Sequence, residues 1–203
     1  RPVDQIVTDI YKGLRVKDEL CEVTGLGMAF DGNSLFEGLN FDVRRGDRIA
    51  IVGPNGCGKT TLLGALSGAI PATSSGEICW TSGTTYVSFN QVVDELDLDD
   101  TVGHAVSAMP DSLALHATKK SVNRFLGLFQ FSEMARATRI GQLSGGEAAR
   151  VALAQCLLSG AAVIILDEPT NHLDMQSTQL MERALAHFPG AVLVVSHDRF
   201  FID

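Results

Sequence analysis

The octapeptide GPNGCGKT, Gly53 to Thr60, constrains this chain more than any other stretch. It follows "RIAIV" (Arg48–Val52), apolar throughout after its arginine, which reads as a strand covered on both faces. It precedes Leu62, Leu63 and Leu66, which share one helical face, with Gly68 as a stop. A strand, a turn spaced G-x-x-x-x-G-K-T and a helix let backbone N–H groups curl around phosphate oxygens above the positive end of the helix. The candidate phosphate-binding set is Gly53, Pro54, Asn55, Gly56, Cys57, Gly58, Lys59, Thr60 and Thr61. Lys59 is placed for the β- and γ-phosphates and the Thr60 hydroxyl for Mg²⁺. The bland alternative is a glycine-rich strand-to-helix turn.

A second constraint is "VIILDEPTNHLD" (Val163–Asp174), which ends an apolar run in Asp167 and Glu168 before a proline, with Glu168 standing 109 residues after Lys59. Two acids at a strand end can be a solvated turn. Beside a phosphate loop they suit a different role. The first acid holds Mg²⁺ from a neighbouring strand, and the second polarises an attacking water. A third apolar run, "AVLVV" (Ala191–Val195), leads into Ser196 and His197. Open α/β sheets bind ligands at the carboxyl ends of their strands, so these three ends define one candidate site.

Turn signals at Asp31–Asn33 and Arg45–Asp47 divide residues 20–52 into strands, and "EICW" and "TYVSF" add two more within 77–90. The period then changes: Val102, Ala105, Val106 and Met109, and again Val122, Phe125, Leu126 and Phe129, recur at helical spacing. Residues 100–140 read as a small helical subdomain, 147–158 as an apolar helix and 176–188 as another. Strands alternating with helices mean an α/β fold with a mostly parallel sheet. Residues 1–19, mixed and charged, read as a linker or the end of a preceding element.

Net charge is −8, which gives no support for a whole-domain nucleic-acid surface. Cys21, Cys57, Cys79 and Cys156 are too scattered for a structural metal site and read as free thiols of a reducing compartment. The apolar runs have strand length, short of the ~20 residues of a membrane span. A first residue other than Met reads as a piece of a longer chain.

"LSGGE" (Leu143–Glu147) is a capping box, Ser144 to Glu147, that exposes the N–H groups of Gly145 and Gly146 at a helix start. With "LDEPTNHLD" and "SHDRFF" it makes residues 20–203 resemble the nucleotide-binding domain of an ATP-binding cassette (ABC) protein, most closely the ABC-F branch. The resemblance implies a P-loop NTPase fold: a mostly parallel core sheet, an antiparallel β subdomain and a helical subdomain over about 92–150. It implies that Phe30 stacks on adenine, against the plainer role of a core strand residue. Gln91 of "SFNQ" would reach Mg²⁺ and the water, and His197 the γ-phosphate. Ser144, Gly145, Gly146 and Glu147 would form the signature loop, and Asn171–Asp174 the loop joining two sites. Cys57 stands where the family carries a small Ala or Ser, and ATP would shield its thiol from alkylation. His104, His116 and His187 have no role, and His172 shapes its loop.

The family's signature loop faces away from its own P-loop and completes the ATP site of a second cassette, so weak ATPase activity is expected from this chain alone. Gln91 and Leu143 stand 52 positions apart, which leaves no room for the extra arm of many first ABC-F cassettes and favours a second cassette. The chain stops at Asp203, where the family's last helices are still to come. The expected parent is a cytoplasmic translation factor or ribosome-protection ATPase (an organelle is the other location), meeting ribosome, rRNA or tRNA outside this segment. The alternatives are the ATPase subunit of a membrane transporter and a cassette that binds ATP without turnover.

Overall fold

The computed structural model describes residues 3–70, 75–108 and 119–197. In chain order the elements are α1 (Val3–Tyr11), β1 (Glu19–Phe30), β2 (Asn33–Arg44), β3 (Arg48–Ile51), α2 (Lys59–Leu66), β4 (Ser75–Trp80), β5 (Tyr86–Ser88), α3 (Phe89–Asp94), α4 (Val102–Ser107), α5 (Lys119–Leu128), α6 (Gly145–Leu158), β6 (Val163–Asp167), α7 (Met175–Ala186) and β7 (Ala191–Val195). Short 3₁₀ turns lie at Ala135–Ala137, Ile140–Gln142 and Pro169–Asn171. Met109, His116 and the last four residues of "SHDRFF" lie outside the described residues.

Two sheets form. One is antiparallel in the order β2-β1-β4, and the other is parallel in the order β3-β7-β6-β5. The apolar runs of β6 and β7 are continuous because each strand serves two cores. Ile164, Leu166, Val192 and Val194 face a layer built from α1 and α3 to α7. Val163, Ile165, Ala191, Leu193 and Val195 face α2 and the antiparallel sheet. Leu62, Leu63 and Leu66 of α2 fill this second layer, as their spacing requires.

β3 departs from expectation. Only Ile49 and Ile51 pack against a core, while Ala50 is exposed and Val52, just beyond the strand, is 65% exposed. Among the described residues β3 pairs with β7 alone, so it is an edge strand, covered on one face. Its arginine anchors it instead: Arg48 donates to the carbonyls of Gly190 at 2.7 Å, Leu185 at 2.8 Å and Phe188, closing the end of α7.

Residues 1–19, expected as a linker or the end of a preceding element, contain a helix built into the first core. Ile6, Val7, Ile10 and Tyr11 are buried there, Tyr11 meets Phe188 edge-on at 5.4 Å, and Asp4 pairs with Arg183 of α7 at 3.5 Å. The helical region matches its periodicity: Val102, Ala105, Val106, Val122, Phe125, Leu126 and Phe129 are all buried. Among the described residues no helix is long and apolar enough to cross a membrane.

Candidate functional site

Because β3, β7 and β6 run parallel, their carboxyl ends lie along one edge of the sheet. Gly53–Thr60 leaves that edge from β3, Ser196 and His197 from β7, and Asp167 and Glu168 from β6. The paired acids are therefore not on the strand next to the phosphate loop; β7 lies between them and brings His197 with it. A cleft of ≈ 300 Å³ opens here, lined by Leu35, Asn55, Gly56, Gly58, Lys59, Thr60, Thr61, Asp167, Glu168, Val195 and His197.

The loop's shape follows from its glycines. Gly56 and Gly58 have φ of 80° and 99°, a region closed to most side chains. At Gly58 an added Cβ would stand 2.9 Å from Cδ1 of Phe36, so β2 presses against the start of α2. Lys59 Nζ donates to the carbonyls of Gly53 at 2.7 Å and Pro54 at 2.8 Å, which holds the ammonium over the loop. Cys57 is half-buried, with its sulfur against Gly53.

Asp167 and Glu168 are positioned differently. Asn90 of α3 clamps the Asp167 backbone: its Nδ2 donates to the Asp167 carbonyl at 3.1 Å and its Oδ1 accepts the Asp167 N–H at 3.2 Å. Glu168 has φ 46°, a left-handed backbone uncommon for a residue with a side chain, and its N–H donates to Val195 O at 2.8 Å. Glu168 Oε2 accepts the His197 N–H at 3.4 Å. Oε1 stands 3.1 Å from His197 Nε2, close enough for an ion pair but outside hydrogen-bond geometry. Oε1 is thus a buried acceptor with no hydrogen-bond donor, on a residue that lines the cleft.

Other expected residues lie elsewhere. Phe30 is 60% exposed at the end of β1 and does not line the cleft; Leu35, two residues into β2, does. Gln91 sits half-buried on α3 outside the cleft wall, while its neighbour Asn90 holds Asp167. Sequence reasoning misses both Leu35 and Asn90, and only their nearness in sequence to Phe30 and Gln91 could have raised them. Ser144, Gly145, Gly146 and Glu147 do not line this cleft; Ser144 caps α6 and the other three open it. There Ser144 Oγ accepts the Glu147 N–H at 3.3 Å and Glu147 Oε2 accepts the Ser144 N–H at 2.8 Å, the reciprocal cap expected from the sequence. The backbone and hydroxyl of Ser144 hold the Glu147 carboxyl below the usual carboxylate range. Asp174, at the end of the loop after β6, caps α7 by accepting the Ser177 N–H at 2.7 Å. His172 packs edge-on to Phe89 at 6.1 Å. His104 pairs with Asp100 at 2.8 Å, and His187 contacts the Arg183 carbonyl at 3.0 Å.

The residues suit a magnesium nucleotide. Thr60 and Asp167 offer hard oxygen donors in one cleft, Lys59 and the glycine loop offer positive charge, and Glu168 Oε1 has its acceptor demand open.

A model of the family described as ABC transporter matches residues 36–171. The energy-dependent translational throttle protein EttA of Escherichia coli K12 is 37% identical over 194 residues, covering 96% of this chain and 35% of that protein. The ATP-binding protein Uup of Haemophilus influenzae is 38% identical over 182 residues, covering 90% of this chain and 28% of that protein. The chain thus spans about a third of the length of these curated relatives. Among solved structures, cbiO1 from Clostridium perfringens, part of the ABC transporter complex cbiONQ, superimposes with a TM-score of 0.65 at 27% identity, over 90% of this chain and 80% of that one. The chain belongs to the ABC transporter family of ATP-binding cassettes, as a cassette of the ABC-F branch.

Proposed function

We propose that this chain is an ATP-hydrolysing cassette that works paired with a second one, in a parent protein acting on the translating ribosome. The gathering of Lys59, Thr60, Asp167, Glu168 and His197 in one cleft at three parallel strand ends carries this reading. Lys59 and the N–H groups of the loop bind the β- and γ-phosphates. Thr60 and Asp167 would hold Mg²⁺, which when bound neutralises charge on the phosphate oxygens. The Glu168 carboxylate accepts a hydrogen bond from the attacking water once its side chain turns into the cleft, and His197 beside it faces the γ-phosphate. The water oxygen bonds to the γ-phosphorus and gives a proton to Glu168, which passes it to the departing phosphate; the bond to the bridging oxygen breaks, and ADP and phosphate leave.

Ser144–Glu147 stands outside this cleft, which supports its use by a partner cassette. ATP would then lie between one cassette's Lys59 and the other's signature loop, and the pair would close on ATP and open after hydrolysis. Gln91 is a candidate for reaching Mg²⁺ and the attacking water that would have to move toward the cleft, and Phe30 a candidate adenine platform. The ribosome reading rests on the likeness to the translational throttle protein, and the short spacing from Gln91 to Leu143 supports the second-cassette position. The likeness to cbiO1, a transporter component, favours a second reading: an ATPase subunit docked on a membrane partner through residues around 91–140.

Ribosome co-sedimentation of the full-length parent, with Glu168 and its counterpart changed to Gln, tests the proposal. Pelleting that requires ATP supports it. A closed, ATP-bound form that ignores ribosomes would transfer the chemistry to the second reading.

A further inference from the structure

Arg150 stands on α6, three residues after Glu147, with its side chain only 12% exposed. One terminal nitrogen donates to Phe129 O at 3.2 Å and to Gln130 Oε1 at 2.8 Å. The other lies 3.9 Å from Glu147 Oε1, and the guanidinium carbon is 5.6 Å from the centre of the Phe131 ring. Gln130 continues the chain of contacts by donating from Nε2 to Gln176 Oε1 at 2.6 Å. Its φ of 65° is unusual for a residue with a side chain, and its amide is engaged on both sides. Gln176 is the second residue of α7, two after Asp174, which caps that helix by accepting the Ser177 N–H.

One guanidinium therefore touches the first turn of α6 and the turn after α5, and through Gln130 the contacts reach Gln176 in the first turn of α7. None of these residues lines the nucleotide cleft. A planar fork with several donors can hold such a junction in one geometry, whereas a lysine ammonium lacks the fixed directions.

We propose that Arg150 is a positioning residue which, through Gln130 and Gln176, locks the loops 144–147 and 171–174 into one register so that both meet a second cassette together. The proposal rests on the paired-cassette reading. It separates this relay from simple helix packing, because Gln130 and Gln176 are exposed and support no core. Loss of the relay should slow turnover at the site completed by these loops and leave ATP binding in this chain's own cleft intact.

The test uses the full-length parent carrying Gln130→Asn, Gln176→Ala or both. Asparagine tolerates the left-handed backbone but withdraws the amide by one methylene. Each single change should lower kcat about tenfold, the size of a typical coupling between linked sites, with ATP Kd and Tm unchanged. The double variant should be no slower than either single one, since both cut the same relay. Arg150→Lys should share the kcat loss while keeping the fold. Amide hydrogen exchange provides a readout independent of hydrolysis: in Gln130→Asn, exchange at 144–147 and 171–174 should accelerate together. Unchanged kcat, additive losses or exchange altered in one loop alone would overturn the relay. If the wild-type parent hydrolyses no ATP, the paired-cassette reading falls, and the exchange result still decides whether the two loops are locked.

Discussion

His197 Nε2 stands 3.1 Å from Glu168 Oε1, across the ends of two adjacent parallel strands. The carboxylate that would activate water is thus oriented by the residue that would sense the γ-phosphate. Changing Glu168 to Gln, or His197 to Ala, should cut phosphate release by about 100-fold or more, the usual weight of a positioned acid–base group. Nucleotide affinity should stay within about threefold, because these side chains add little to the binding supplied by the loop. Phosphate release and nucleotide titration on the two-cassette parent would measure both. A parallel fall in affinity would mean that the pair binds rather than activates.

The four thiols should separate by environment. Burial pushes the Cys21 thiol up to about 12 and raises Cys156 further, so both stay protonated and unreactive at pH 8. Cys79 is exposed and Cys57 half-buried in the phosphate loop. Iodoacetamide followed by peptide mass spectrometry should label Cys79 and Cys57 and spare the other two. ATP should slow labelling at Cys57 alone. Equal rates at Cys57 with and without ATP would mean that nucleotide does not cover this loop.

Acid should loosen two helix starts. Ser144 lowers the Glu147 carboxyl and Ser177 the Asp174 carboxyl, in each case first through the backbone N–H and then through the hydroxyl. A carboxylate whose folded value is depressed stabilises the fold above its unfolded value and loses that contribution as pH falls through the folded one. The window therefore begins near pH ~4 and extends downward. Asp174→Asn keeps a competent cap but removes one titrating group. Its Tm should fall less steeply than the wild type's between about pH 4 and pH 3, as scanning calorimetry would show.

Arg48 should matter for stability rather than chemistry. Its three bonds to carbonyls at the end of α7 leave acceptors unpaired when it is replaced. Arg48→Met should cost about 2–3 kcal/mol. For a domain of this size that is a fall in Tm of roughly 5–10 °C by circular dichroism. An unchanged Tm would mean that water replaces the guanidinium without cost.

Much of the site could be read from local sequence because its determinants are local. The phosphate loop needs its glycines, the cap joins residues three apart, and the unbroken apolar runs Val163–Leu166 and Ala191–Val195 place these strands between two cores. What escaped depends on tertiary placement. The apolar face of α1 repeats at Val3, Ile6, Val7, Ile10 and Tyr11, but the charged residues after it dominate that segment's character. The edge position of β3 is decided by strand order, which an apolar run cannot report. Asn90 holds Asp167 only because α3 folds back over the end of β6, and Leu35 reaches the cleft only because the β1–β2 hairpin leans on Gly58.

The edge position of β3 also bears on how the domain breathes. In a parallel stack the inner strands are gripped from both sides and the outermost from one, so among the described residues β3 is held less firmly than β6 or β7. The loop it carries reaches across the intervening strand's end toward residues of β6. A nucleotide seated in the cleft would work as a rivet, pinning an outer ribbon of the sheet to an inner one. Loading and discharge of the paired cassettes would then tighten and release the scaffold of each one as well as the seam between them.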